Sequence, residues 1–198
     1  MRAFTLMEAM FASGTLAILI LALLSAQLIG LRLDQVVESK QGASDTSRKV
    51  INQLPADIKS SKMWNIGNLS GTNVVPIPGG LPEQGTALQL YETTNGSQFI
   101  LYYFTAGGIN GSGNLWRTTS TNWNPVVIAS NLINTLYFTA ENFNGVVATN
   151  SGSSMAYKNI IHTILQFCQF EYPLTVVGTN GLYDYYKLEF KATPHLHE

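Results

Sequence analysis

From Ala9 to Leu31 the chain carries no Asp, Glu, Lys or Arg, and Leu, Ile, Ala, Phe and Met fill most positions. A helix needs about 20 such residues to cross the hydrocarbon of a bilayer. Beyond this run the pattern becomes amphipathic. Leu33, Val36, Val37, Ala43, Val50, Ile51, Leu54 and Ile58 recur at three- and four-residue steps, with Arg32, Asp34, Lys40, Arg48, Lys49 and Lys59 mostly between them. That spacing lays an apolar stripe along one side of a continuing helix, with the other side solvated. Gly14 and Gly30 are its softest points in the apolar half, Gly42 loosens the second half, and Pro55 starts a new helical segment at its first turn.

After about residue 64 the helical period is lost. Asn65 to Gly85 reads as a loop, because Pro76, Pro78, Gly79, Gly80 and Pro82 block regular structure. Strands are then expected at Ala87–Tyr91 and Phe99–Phe104, joined by an Asn95-Gly96 turn. Shorter candidates are Leu115–Thr118, Val126–Ile128, Thr135–Phe138 and Val146–Val147. The longest are Ile160–Tyr172 and Tyr183–Ala192, on either side of Asn180-Gly181. Short connections imply sequential antiparallel pairing, since parallel strands need long crossovers. The expected fold is therefore α+β: a long N-terminal helix, half transmembrane and half amphipathic, packed on an antiparallel sheet.

Composition narrows the function classes. The chain has 198 residues, a net charge of −1 and only 12% charged residues, with no basic cluster, so nucleic acid is not an expected direct partner. A single cysteine, Cys168, excludes an intrachain disulfide. It lies in the apolar run Leu165–Phe170, where a free thiol behaves as a small core residue. The histidines are His162, His195 and His197. The last two would share a face of a strand, but they lack a third ligand and sit at a chain end, so no metal or other cofactor is expected. Asp184 is the only aspartate after Asp57, which leaves the Asn/Gly turns poor in calcium ligands. No nucleophile elbow or phosphate cradle is present, and an enzyme is not expected. Tyr91, Tyr102, Tyr103, Trp116, Trp123, Tyr183, Tyr185 and Tyr186 read as cross-strand packing residues ahead of a sugar-binding face.

One carboxylate stands at the head of the apolar run, in Phe4-Thr5-Leu6-Met7-Glu8. An unpaired charge inside a membrane segment is expensive and calls for a functional reason. This motif resembles the N-terminal signature of type IV pilins and of the pseudopilins of type II secretion systems. The resemblance covers the first thirty residues closely and about sixty loosely. It implies a leader at 1–3, cut by a prepilin peptidase between Ala3 and Phe4, with N-methylation of Phe4. Arg2 would then be the cytoplasmic positive charge of a very short leader. It further implies that Glu8 meets the amine of a neighbour's Phe4 during assembly, a buried charge made tolerable by an arriving cation. Leu6, Met10, Leu16, Leu19 and Leu23 would pack the helix bundle. The chain departs from the family pattern in having Ala3 where Gly is usual and no proline before Pro55.

The stretch Leu54-Pro55-Ala56-Asp57-Ile58-Lys59 is similar to a pattern at the end of the long helix in W-type minor pilins and J-type pseudopilins. The implied organisation is an assembly helix over 4–31, an amphipathic continuation over 32–63 and an extracytoplasmic β-rich domain over 64–198. The implied partners are other pilin or pseudopilin subunits, the prepilin peptidase, an assembly platform protein with its ATPase, and the inner membrane. The protein would reside there as a single-pass protein, its N-terminus cytoplasmic, until taken into a periplasmic or surface filament. Competing readings of the same segment are a signal peptide cut near Ala22–Ala26, a buried core helix, and an uncleaved anchor for an envelope binding protein that never polymerises.

Overall fold

The computed structural model describes residues 5–71, 73–93, 96–107, 111–134, 137–150, 160–170 and 182–194. Helix α1 runs from Leu6 to Ser60. By its internal contacts the chain divides into two units, Met1–Gly42 and Ala43–Glu198. The helix supplies the described part of the first unit and opens the second. It passes through Pro55 without ending, so Pro55 does not begin a separate segment. A proline inside a helix forfeits a backbone bond and costs about 3 kcal/mol. Val50, Leu54 and Ile58 on the same side are completely buried, and each contributes about 1.5–3 kcal/mol of burial, enough to hold the helix through that defect.

Among the described side chains of the expected stripe, only its end is buried. Val50, Leu54 and Ile58 lie four residues apart and enter the core, whereas Leu33, Val37 and Ile51 are exposed. The helix stops at Ser60, and the Ser61 hydroxyl and amide both donate to the Ile58 carbonyl. This end, three residues short of the expected boundary at 63, leads directly into the sheet.

The described residues contain ten strands in one antiparallel sheet: β1 (Met63–Ser70), β2 (Asn73–Pro76), β3 (Gln84–Gly85), β4 (Ala87–Tyr91), β5 (Phe99–Ala106), β6 (Gly113–Thr119), β7 (Val126–Leu132), β8 (Phe138–Glu141), β9 (Ile160–Phe170) and β10 (Leu182–Ala192). Their order is β2-β1-β4-β5-β6-β7-β9-β8-β3, with β10 on the other edge of β9. The α+β expectation and the antiparallel pairing hold. The loop expected over 65–85 does not, since β1, β2 and β3 occupy much of it. Met63, Trp64 and Ile66 of β1 are core residues, and the prolines fall at the end of β2 or between β2 and β3, where they interrupt no ladder. Val146–Val147 forms only an isolated bridge, Glu141↔Val147. Asn95, Thr135, Leu136 and the Asn180-Gly181 turn lie outside the described residues.

The sheet curls until its ends meet. An added Cβ on Gly85 of β3 would stand 2.1 Å from the carbonyl oxygen of Gly67 in β1, so two backbones touch where side chains would normally separate them. The core fills the concave side. Trp64, Leu88, Leu90, Ile100, Leu115, Phe138, Ile161 and Leu165 pack there with the three helix residues.

Gly85→Ala should therefore destabilise the protein by about 3 kcal/mol, the upper part of the range for overpacking. Gly79→Ala, whose Cβ meets nothing nearer than 3.9 Å, is the control and should be close to neutral. Denaturant unfolding of the detergent-solubilised chain, followed by tryptophan fluorescence, checks both. Equal midpoints for the two variants would contradict the closure.

Candidate functional site

The head of α1 is built by Thr5 and Glu8. Thr5 stands just before the helix, and the Ala9 amide donates to its carbonyl at 3.2 Å, the first helical bond. The Thr5 amide and hydroxyl both donate to Glu8 Oε2 at 3.0 Å, and the Glu8 amide faces Thr5 Oγ1 at 3.4 Å. This is a reciprocal capping box: each side chain serves the other's backbone, and the helix dipole favours an anion at this end. The Thr-x-x-Glu spacing was visible in the chain, but the resemblance directed attention to Glu8 alone. Ala3 and Phe4, the expected cleavage, methylation and pairing residues, lie outside the described residues.

Below the cap, the large apolar side chains are exposed among the described residues. Leu6, Met10, Leu16, Leu19 and Leu23 are between 58 and 81% exposed, as are Phe11, Ile18 and Leu21 on other sides of the same helix. Leu6–Asp34 is long and apolar enough to cross a membrane. Its hydroxyls suit such a setting. Ser13 donates to the Met10 carbonyl, Thr15 to those of Phe11 and Ala12, and Ser25 to that of Leu21, all at 2.8–3.0 Å. Each hydroxyl is satisfied within the helix and asks nothing of lipid.

The expected Leu54–Lys59 motif is brought together with the sheet. Leu54 and Ile58 enter the core, and Asp57 between them receives the Tyr102 hydroxyl at 2.5 Å and Arg117 Nε at 2.8 Å. Arg117 Nε also lies 3.2 Å from the Tyr102 oxygen. Burial, and then the Asp57 charge, push the Tyr102 phenol upward, so it stays a donor. One carboxylate thus pins the last helical turns to β5 and β6.

A second polar group escaped the sequence reading. His162 on β9 places Nδ1 2.5 Å from Glu141 Oε1 on β8 and Nε2 2.8 Å from Glu189 Oε1 on β10. Lys191 reaches Glu141 at 2.6 Å and Lys187 reaches Glu189 at 2.5 Å, which completes a line of polar contacts on β8, β9 and β10. Burial pushes the Glu141 carboxyl up, but the bonds from Lys191 and His162 outweigh it and hold the group below its ordinary value. Register explains why the sequence hid this. Lys191 pairs with His162, and His162 with Thr139, only after strands far apart in the chain are aligned.

Other candidate chemistry stays dispersed. Cys168 is buried, with its thiol against the Asn131 carbonyl at 3.2 Å, and burial pushes the thiol up, away from nucleophilic reactivity. Among the described residues no three His, Cys, Asp or Glu side chains converge on a metal position. His195 and His197 lie outside those residues, as do the side chains of Tyr183, Tyr185 and Tyr186. Tyr102 is fully buried, Tyr91 meets Phe99 edge-on at 6.2 Å, and Trp116 donates to Thr105 Oγ1 at 2.7 Å, all packing roles. Trp123 is exposed. A crevice of about 210 Å³ lies between Asp45, Thr46 and Lys49 of the helix and Val127–Ser130 of β7, where Lys49 Nζ donates to the Val127 carbonyl at 3.3 Å. No family model, no curated protein and no solved structure matches the chain.

Asp57→Asn should cost about 1–3 kcal/mol, because Arg117 and Tyr102 lose an anionic acceptor in a half-buried site. The loss should nearly vanish when the same change is made in an Arg117→Met, Tyr102→Phe background. A double-mutant cycle by denaturant unfolding checks this. An undiminished loss in that background would show that Asp57 acts through other partners.

Proposed function

We propose that the chain is a filament subunit of the type IV pilin and type II pseudopilin kind, matured by a prepilin peptidase and assembled through its N-terminal helix. The observation that supports this reading is Glu8 of the Phe4-Thr5-Leu6-Met7-Glu8 motif capping the head of a helix whose described apolar side chains are exposed on all sides. Such a surface asks for lipid first, and it can later exchange lipid for copies of itself with little change in apolar burial. Leu6, Met10, Leu16, Leu19 and Leu23 are the proposed bundle contacts. Prepilin peptidase would cut after Ala3, leaving Phe4 as a methylated N-terminus.

Glu8 is the proposed recognition group for the Phe4 amine of a neighbouring subunit. Its capping bonds to Thr5 suit that role, because they fix the carboxylate at the helix head before a cation arrives. The α+β fold, with the end of the long helix pinned under an antiparallel sheet, fits the pilin-like architecture. The Leu54–Lys59 stretch favours a minor pilin or a J-type pseudopilin. The site supports assembly in preference to catalysis.

The capping box also favours a second reading. If Glu8 only caps its own helix, the chain is a signal-anchored envelope binding protein that does not polymerise. Glu8→Ala and Glu8→Gln in a cell with the assembly machinery separate the two. The assembly reading expects normal leader cleavage in both variants and at least about a tenfold fall in the amount recovered in sheared filaments, a loss of about 1.4 kcal/mol or more per contact. Equal recovery of wild type and variants would leave Glu8 as a cap alone.

A further inference from the structure

Glu83 sits one residue before β3, at a corner where three backbone segments close a ring of hydrogen bonds. The Ala140 amide of β8 donates to the Glu83 carbonyl at 2.9 Å, the Glu83 amide to the Ala148 carbonyl at 2.8 Å, and the Ala148 amide to the Ala140 carbonyl at 2.8 Å. The β3–β8 register, Gln84↔Thr139 and Gly85↔Phe138, sets Glu83 opposite Ala140. Ala140 pairs in turn with Ile161, and both are fully buried. The Glu83 side chain therefore faces the concave core. The residue is 4% exposed, and its Oε2 is buried with no hydrogen-bond partner.

Among the described residues, nothing in that wall supplies a cation. The inward positions are Phe138 and Ala140 on β8, Ile161, Thr163 and Leu165 on β9, and Leu188, Phe190 and Ala192 on β10, all uncharged. The Tyr137 and Thr163 hydroxyls, also buried without partners, are the polar groups of this part of the core. On the packed helix, Asp57 is committed to Tyr102 and Arg117. The charged groups of β8, β9 and β10 that are described, namely Glu141, His162, Lys187, Glu189 and Lys191, bond to one another in the line that begins at Thr139's side of the sheet. A carboxylate in such a place must either keep its proton or leave the core.

The element that carries it is short, and just before it residues 80–82 pair with 149–150 and not with β8: the Gly80 amide donates to the Asn150 carbonyl at 2.7 Å and the Asn150 amide to the Leu81 carbonyl at 2.9 Å. β3 is two residues long, and Pro82 beside it has no amide to donate. We propose that Glu83 is a proton-operated latch: protonated, it lets residues 83–85 lie along β8, and ionised, it drives that short segment off and bares the β8 edge it covers. Burial alone pushes this carboxyl up to about 7, so the latch would work near neutral pH. The sign follows from linkage. The native carboxyl holds its proton more tightly than the unfolded one at 4.5, so closure is fully favoured below 4.5 and weakens as pH rises through about 7. Strand edges bared in this way are sites for pairing with another chain. The inference does not depend on the filament reading.

Amide hydrogen exchange of the detergent-solubilised full chain between pH 5.5 and 8.5, corrected for the intrinsic rate, tests it. The opening equilibrium at the Glu83 and Ala140 amides should rise by about tenfold or more across that range, while Leu101 in β5 stays level. Glu83→Gln, which mimics the protonated acid, should flatten the rise. A flat wild-type profile, or a rise that survives Glu83→Gln, would overturn the latch. Should that variant fail to fold, carboxyl ¹³C titration of the wild type decides: a Glu83 midpoint at about 7 supports the latch, and one at about 4.5 rejects it.

Discussion

A helical segment this apolar that buries none of its surface among the described residues is poorly suited to water, and that constraint governs Leu6–Asp34. Leu6–Asp34 has large hydrophobic side chains on every side, and its few hydroxyls bond back to its own carbonyls. The helix is thus complete as a hydrogen-bonded object and incomplete as a packed one. By length and composition it can cross a membrane. The polar cap that starts it, Thr5 with Glu8, lies where backbone amides are otherwise unpaired, so even the lone carboxylate has a local reason to be there.

A different balance holds the second unit together. The last turns of α1 bury Val50, Leu54 and Ile58 completely, and Asp57 ties the same turns to Tyr102 and Arg117. Apolar burial supplies most of the attachment. The carboxylate fixes rotation and register of the helix against the sheet, because a short bond from Tyr102 tolerates little movement. The sheet closes on itself through the Gly67–Gly85 approach, and the edge it closes with is the short β3 that also holds Glu83. The structurally tightest contact and the electrostatically least comfortable group are therefore only two residues apart.

Much of this was legible in the chain, and the failures have physical causes. The apolar run, the helix beyond it and the antiparallel strands follow from periodicity, which is local. Leu54 and Ile58 were recognisable as an inward pair because the four-residue step repeats at Val50. Leu33, Val37 and Ile51 belong to the same pattern yet stay exposed, since periodicity shows which residues could be buried and not whether anything covers them. β1 was lost among glycines and prolines, of which Gly67 sits inside the strand while the prolines end β2 or fall between β2 and β3. Polar side chains joined across strands were hidden for another reason: Glu141, His162 and Glu189 meet through pairing register, which no single stretch encodes. At Glu8 the motif was readable in two ways, as an assembly carboxylate and as one half of a capping box, and the structure supplies the second without removing the first.

The central claim is that the chain is handled as a prepilin, and the covalent state of its N-terminus tests that most directly. Intact-mass and N-terminal peptide spectrometry of the protein purified from cells with a prepilin peptidase should find a chain that begins at N-methylated Phe4. A start at Met1 would identify a plain anchor, and a start beyond Ala26 a secreted domain. Either result would contradict the account.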